Sequence, residues 1–176
     1  MMHDITPMVT TGQAGGGERA TAVFPGDTPP SREVLLDLAR GDNITLSTVR
    51  STVHLGAHAD AETHYARERA DGSAARAIEG MELARFVGAC QVIDARRARQ
   101  RGARRVGVED LGGAEVTRER VLLRTGSWPD PTVFNEDFLG VEGALVDWLA
   151  ARGVRTLGVD TPSVDEAGSK VLEAHE

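Results

Sequence analysis

Cysteine is nearly absent from this 176-residue chain: Cys90 stands alone, which excludes an intramolecular disulfide and a thiolate-rich zinc site. No apolar run approaches the ~20 residues that span a membrane. The opening Met1-Met2-His3-Asp4-Ile5-Thr6-Pro7 lacks a basic flank followed by an apolar stretch, so no secretory signal is expected. Basic charge is also in deficit, with 20 Lys and Arg against 27 Asp and Glu, a formal charge of −7 and a pI near 5.3. Such a chain repels phosphate backbones in general. The glycine-rich stretch with Gly12, Gly15, Gly16 and Gly17 lacks the Gly-Lys-Ser/Thr ending of a phosphate-binding loop and reads as a mobile loop. The expectation is a cytoplasmic, soluble, single domain over residues 1–176, without a nucleic-acid or membrane partner.

Against those absences, several segments carry structure. Phe24-Pro25-Gly26-Asp27-Thr28-Pro29-Pro30 spells a rigid turn, because proline fixes φ and glycine permits a tight bend. Strands are expected over 44–55, 87–94, 120–125 and 154–159, where Val, Leu, Ile and Thr concentrate. The short apolar runs of the last two suit strands covered on both faces. Between them Val141, Leu145, Trp148 and Leu149 recur at helical spacing, and Gly153 sits where a C-terminal cap belongs. Strand, helix and strand at this spacing predict a crossover unit in an α/β sheet. The arginine run from Arg96 to Arg105 has no interleaved aromatic residues and reads as a solvated connection between a strand and the next helix. Cys90, inside an apolar strand, reads as a buried structural thiol. Trp148 belongs to the core, while Trp128 lines a pocket or covers an edge. Ser127 and Ser163 lack the Gly-x-Ser-x-Gly elbow of serine hydrolases. Asp160, Thr161 and Ser163 follow a strand end, where ligands often sit in α/β folds.

The chemistry concentrates in His54-Leu55-Gly56-Ala57-His58-Ala59-Asp60-Ala61-Glu62-Thr63-His64. Three of the five histidines fall in this window, with an aspartate among them. Imidazole and carboxylate are the usual ligands of zinc and manganese. On a continuous helix Asp60 would lie about 200° from His58, on the far side. On an extended strand the window would run on the order of 33 Å, too far for one ion. The chain must therefore bend, and Gly56 with its small alanine neighbours allows that.

His-x-Gly-Ala-His-x-Asp-x-x-x-His resembles the metal-binding signature of the bacterial kynurenine formamidases (arylformamidases), within the wider cyclase-like metal-hydrolase family. The resemblance covers nearly the whole chain. Asp4-Ile5-Thr6-Pro7 is similar to the family's opening strand, and Phe24-Pro25-Gly26-Asp27-Thr28-Pro29 to its Trp-Pro-Gly-Asp-Thr-Pro substrate loop. Val121-Leu122-Leu123-Arg124-Thr125 is similar to a family strand. Gly158-Val159-Asp160-Thr161-Pro162-Ser163, Ser169-Lys170 and Glu173-Ala174-His175 parallel its closing motifs.

The resemblance implies a swivelling β/β/α domain with a mixed sheet, dimeric, holding two divalent ions, usually zinc and alternatively manganese. It implies that His54, His58 and Asp60 bind the first ion. Asp60 would bridge to a second ion that His175 also holds, and His64 would be the general acid/base. Phe24 falls where the family carries a substrate-contacting tryptophan. The implied reaction hydrolyses N-formyl-L-kynurenine to formate and L-kynurenine in tryptophan degradation. The alternatives are a cyclic-amide hydrolase of the isatin-hydrolase kind and an inactive metal-binding fragment.

Three departures stand out. Glu62 replaces the family's proline two residues after Asp60, and Phe24 replaces tryptophan, losing the indole N–H. The chain also ends before the family's final Ile-Leu-Glu-Gly segment and terminal strands. Their glutamate, a ligand of the second ion, has no counterpart here, and Glu176 does not match its position. The expectation is therefore a C-terminally truncated member with a complete first site and an incomplete second one.

Overall fold

A computed structural model of the protein describes residues 5–13 and 16–175. The chain folds as two compact units: residues 1–58 with 130–134, and residues 59–129 with 135–176. Asp4 and Glu176 lie outside the described residues.

The first unit is built from antiparallel pairs. Strands β1 (Thr11–Gln13) and β2 (Gly16–Ala20) pair antiparallel, so the glycine-rich stretch expected as a mobile loop contributes to a strand pair. Gly15 of that stretch lies outside the described residues, and backbone pairing is invisible to composition. Residues 5–10 form no strand, so the expected opening strand is absent over its described residues 5–7. Strands β3 (Ser31–Leu36) and β4 (Leu46–Arg50) pair antiparallel from Ser31 opposite Arg50 to Leu36 opposite Leu46. The strand expected over 44–55 is thus shorter at both ends. Ala22 N donates to Pro131 O at 2.9 Å, and the Phe24 and Phe134 rings meet edge-on at 5.0 Å.

The second unit holds a parallel sheet ordered β5 (Gln91–Asp94), β7 (Arg120–Arg124), β9 (Thr156–Val159). A second parallel pair joins β6 (Arg105–Val106) to β8 (Gly140–Val141). Helix α1 (Arg97–Gln100) follows β5, and α2 (Gly143–Ala150) precedes β9. The apolar spacing read at 141–149 does place Leu145 and Leu149 in the core, with Trp148 packed partly against it. They meet Ile93, Val106, Leu111, Val121, Leu123, Leu139 and Val141, all buried. Gly153 is left-handed just beyond the helix, with φ +81°.

Two expectations change here. Strand β7 buries Val121 and Leu123, but Leu122 is half-buried and Val92 of β5 exposed. That sheet face is only partly covered, which a short apolar run cannot reveal. Cys90 is exposed rather than buried, because β5 begins one residue later, at Gln91. The arginine run is laced to acids: Arg96 with Asp94, Arg99 and Arg104 with Asp137, Arg101 with Asp110, and Arg105 with Glu166 and Glu173. Among the described residues no helix is long and apolar enough to cross a membrane.

Candidate metal centre

In the first unit, the chain bends at Gly56, within the window where a bend is expected. Its φ is +63°, and a Cβ there would stand 2.7 Å from Val9 Cγ2. Both features favour glycine. Upstream, His54 N donates to Thr52 Oγ1 at 3.1 Å, and Thr52 N donates to Thr28 O at 3.1 Å. The loop read as a substrate loop is thereby tied to the histidine segment. Asp27 of that loop has its carboxyl held below the usual range, first by the Thr52 side chain, then by the Thr28 backbone N–H, with His54 adding charge. Phe24 is 38% exposed at the loop's start.

The bend brings His54 Nδ1 within 3.1 Å of His58 Nε2. His58 Nδ1 lies 2.8 Å from Gly56 O. A carbonyl can only accept, so Nδ1 carries a proton, and in the neutral ring Nε2 presents its lone pair. Two nitrogens bound to one tetrahedral zinc at ~2.0–2.1 Å stand about 3.3 Å apart. The observed separation fits that demand, and the carbonyl bond is the kind that orients a ligating imidazole.

In the second unit, Asp60, His64 and His175 offer ligand atoms that all lie within 4.8 Å of one another. His64 ends a 3₁₀ turn, Glu62–His64, in which its N–H donates to Ala61 O at 2.9 Å. Glu62 is a clamp on that turn. Its carboxylate accepts from Arg76 N at 3.0 Å and from Arg76 Nη2 at 2.6 Å. The Arg76 side chain first, then its backbone N–H, hold the Glu62 carboxyl down at about 2. The residue that departs from the family's proline thus fixes the segment between Asp60 and His64 by other means.

His175 is gripped from behind. Its Nδ1 lies 2.6 Å from Oδ2 of Asp165, whose side chain is 2% exposed. The His175 ring lies 5.8 Å from those of His64 and Tyr65. Burial, together with the charges of Glu62 and Asp60, pushes the Tyr65 phenol up.

Of the residues singled out from sequence, the structure pairs His54 with His58 and gathers Asp60, His64 and His175. Phe24 is set against Phe134. Asp160 turns out to be a brace: its carboxylate accepts from Thr125 N and Gly126 N, both at 2.9 Å. Trp128 packs edge-on against the buried Phe138. Sequence reasoning missed Asp165, Tyr65 and Phe134. None stands at a metal-ligand spacing, and Asp165 is ten residues from its histidine.

Residues 4–166 match the Cyclase family. The chain is 35% identical to kynurenine formamidase of Bordetella petrii over 174 residues, covering 99% of this chain and 75% of that protein. Kynurenine formamidase of Bordetella avium is 34% identical with the same coverage. The fold matches a potential metal-dependent hydrolase with cyclase activity at a TM-score of 0.71 and 20% identity, over 98% of this chain and 73% of that one. It also matches isatin hydrolase A of Labrenzia aggregata at a TM-score of 0.70 and 19% identity, with the same coverage.

Proposed function

The chain belongs to the cyclase family, and from that premise we propose that it is a metal-dependent amide hydrolase cleaving N-formyl-L-kynurenine to L-kynurenine and formate. The observation that carries this reading is the convergence of Asp60, His64 and His175, alongside a histidine pair whose nitrogens stand 3.1 Å apart. The kynurenine formamidase relatives supply the substrate class. In this reading His54, His58 and Asp60 hold one divalent ion, zinc or manganese, while Asp60 and His175 reach a second. Such an ion supplies Lewis acidity and water of pKa about 7.

The remaining work falls to side chains. Asp60 follows His58 by two residues, so it can serve both donor sets. Amide cleavage expels an arylamine, whose nitrogen needs a proton as it departs. His64, held by the turn that Glu62 clamps, delivers that proton. Phe24 offers an apolar face to the substrate's aryl ring, steadied by Phe134. The same reading makes the protein a cytoplasmic homodimer of one cyclase-like, swivelling β/β/α domain.

The test is hydrolysis of N-formylkynurenine by zinc-loaded protein beside its His64→Asn variant. The variant should lose about 10²–10⁴ in rate while keeping its metal. Loss of metal with the rate makes His64 a ligand instead. Turnover of a cyclic amide such as isatin in place of the formamide favours the isatin-hydrolase alternative. Hydrolysis of neither refutes the reading.

A further inference from the structure

We infer that Asp165 is a positioning residue that sets the tautomer and the orientation of His175; its consequence for metal rests on the reading above. Asp165 is buried, and each carboxylate oxygen has its own donor. Oδ2 meets His175 Nδ1 at 2.6 Å, and Oδ1 accepts from Ala174 N at 3.3 Å. A carboxylate oxygen at this distance accepts from the ring, so in the neutral imidazole the proton resides on Nδ1. Nε2 is left with the lone pair a metal or a proton donor can use. A carboxylate behind an imidazole in this way fixes the ring and raises its basicity as a ligand.

The core makes this contact reproducible. Val141 N donates to Val164 O at 2.6 Å, fastening the residue before Asp165 to buried β8. A Cβ at Gly140 would fall 2.9 Å from Glu166 N, so glycine there permits the close approach. Arg105 spans the two ends of the segment, donating to Glu166 Oε2 at 3.1 Å and to Glu173 Oε2 at 2.6 Å. Asp165 and His175 are therefore fixed by flanking residues anchored to one strand pair. Asp165 is also placed where neither of its oxygens is redundant.

That placement makes Asp165→Asn informative. Asparagine has one acceptor oxygen and one NH₂ donor. If the oxygen serves Ala174 N, the NH₂ faces Nδ1, and the ring proton moves to Nε2. The lone pair is then withdrawn from the ligand position. If the amide flips, two N–H donors face each other at Ala174.

The experiment is ¹⁵N-detected histidine NMR of the metal-free 176-residue protein, with zinc affinity measured by calorimetry. His175 signals are assigned by comparison with His175→Ala. The wild type is expected to show the Nδ1–H tautomer. Asp165→Asn is expected to show the Nε2–H form or a mixture, and about 10–100-fold weaker zinc binding at the His175-dependent site. Nε2–H in the wild type overturns the proposal even if the variant does not fold. So does an Asp165→Asn protein with unchanged tautomer, or one with a changed tautomer and wild-type zinc affinity. A wild type that shows Nδ1–H and binds no zinc, beside an Asp165→Asn protein with a shifted tautomer, upholds the role of Asp165 in setting the tautomer. That result refutes the metal reading instead.

Discussion

Replacing Gly56 by alanine tests whether the proposed metal site depends on the bend at the histidine pair. The cost has two parts that the structure separates. A left-handed conformation, here φ +63°, costs an L-residue about 1–2 kcal/mol. The new Cβ would also meet Val9 Cγ2 at 2.7 Å. Val9 is 45% exposed, so its side chain can swing aside, at about 0.5–1.5 kcal/mol for leaving its rotamer. Together these come to about 2.5 kcal/mol, or about 60-fold in an equilibrium constant. If the segment keeps its bend, the cost appears as lost folding stability. If it relaxes, His58 Nδ1 loses Gly56 O, the two nitrogens part, and the cost appears in zinc affinity. Urea unfolding and zinc calorimetry on the same protein therefore read two shares of one quantity. In a Val9→Ala background the clash is gone, and Gly56→Ala should cost about 1 kcal/mol less, a coupling that a double-mutant cycle resolves. Gly56→Ala with wild-type stability and wild-type zinc affinity would refute the argument.

Two further expectations follow from the neighbouring geometry. The Glu62 carboxyl is held at about 2 by Arg76, below its ordinary 4.5, so the clamp's contribution is complete above about pH 4.5 and fades as pH falls toward 2. The stability gap between wild type and Glu62→Gln in urea should shrink from pH 6 to pH 3, and a gap that holds constant or widens would contradict this. Phe24→Trp, exchanging one aromatic face for another beside Phe134, should shift KM for N-formylkynurenine while leaving metal content unchanged. Metal loss without a KM change would make the loop purely structural.

Much of the candidate site was legible in the sequence because most of its residues are local. His54, His58, Asp60 and His64 fall within eleven residues, and glycine at 56 announces the bend between the first two. The helix at 143–150 and the strands at 120–124 and 156–159 were legible for the same reason: periodicity and apolar runs are nearest-neighbour properties. What stayed hidden depends on backbone meetings across distance. Cys90 lies outside its strand because pairing with β7 begins at Gln91, and the pairing of β1 with β2 left no mark in a run of glycines. Glu62 finds Arg76 fourteen residues on, and Arg105 finds Glu166 sixty-one residues on.

For a metal centre that distinction has a chemical edge. Spacing tells which imidazoles can meet, but an imidazole is a ligand only through the nitrogen that lacks a proton. The partner of the other nitrogen decides which one that is. For His58 the partner is the carbonyl of Gly56, two residues away and set by the bend itself. For His175 it is Asp165, a buried carboxylate brought within 2.6 Å by the strand pair beneath it. The first partner comes with the ligand motif; the second exists only once the core has formed. Mutations in the core that loosen β8 should therefore reach the chemistry through His175 before they reach His58.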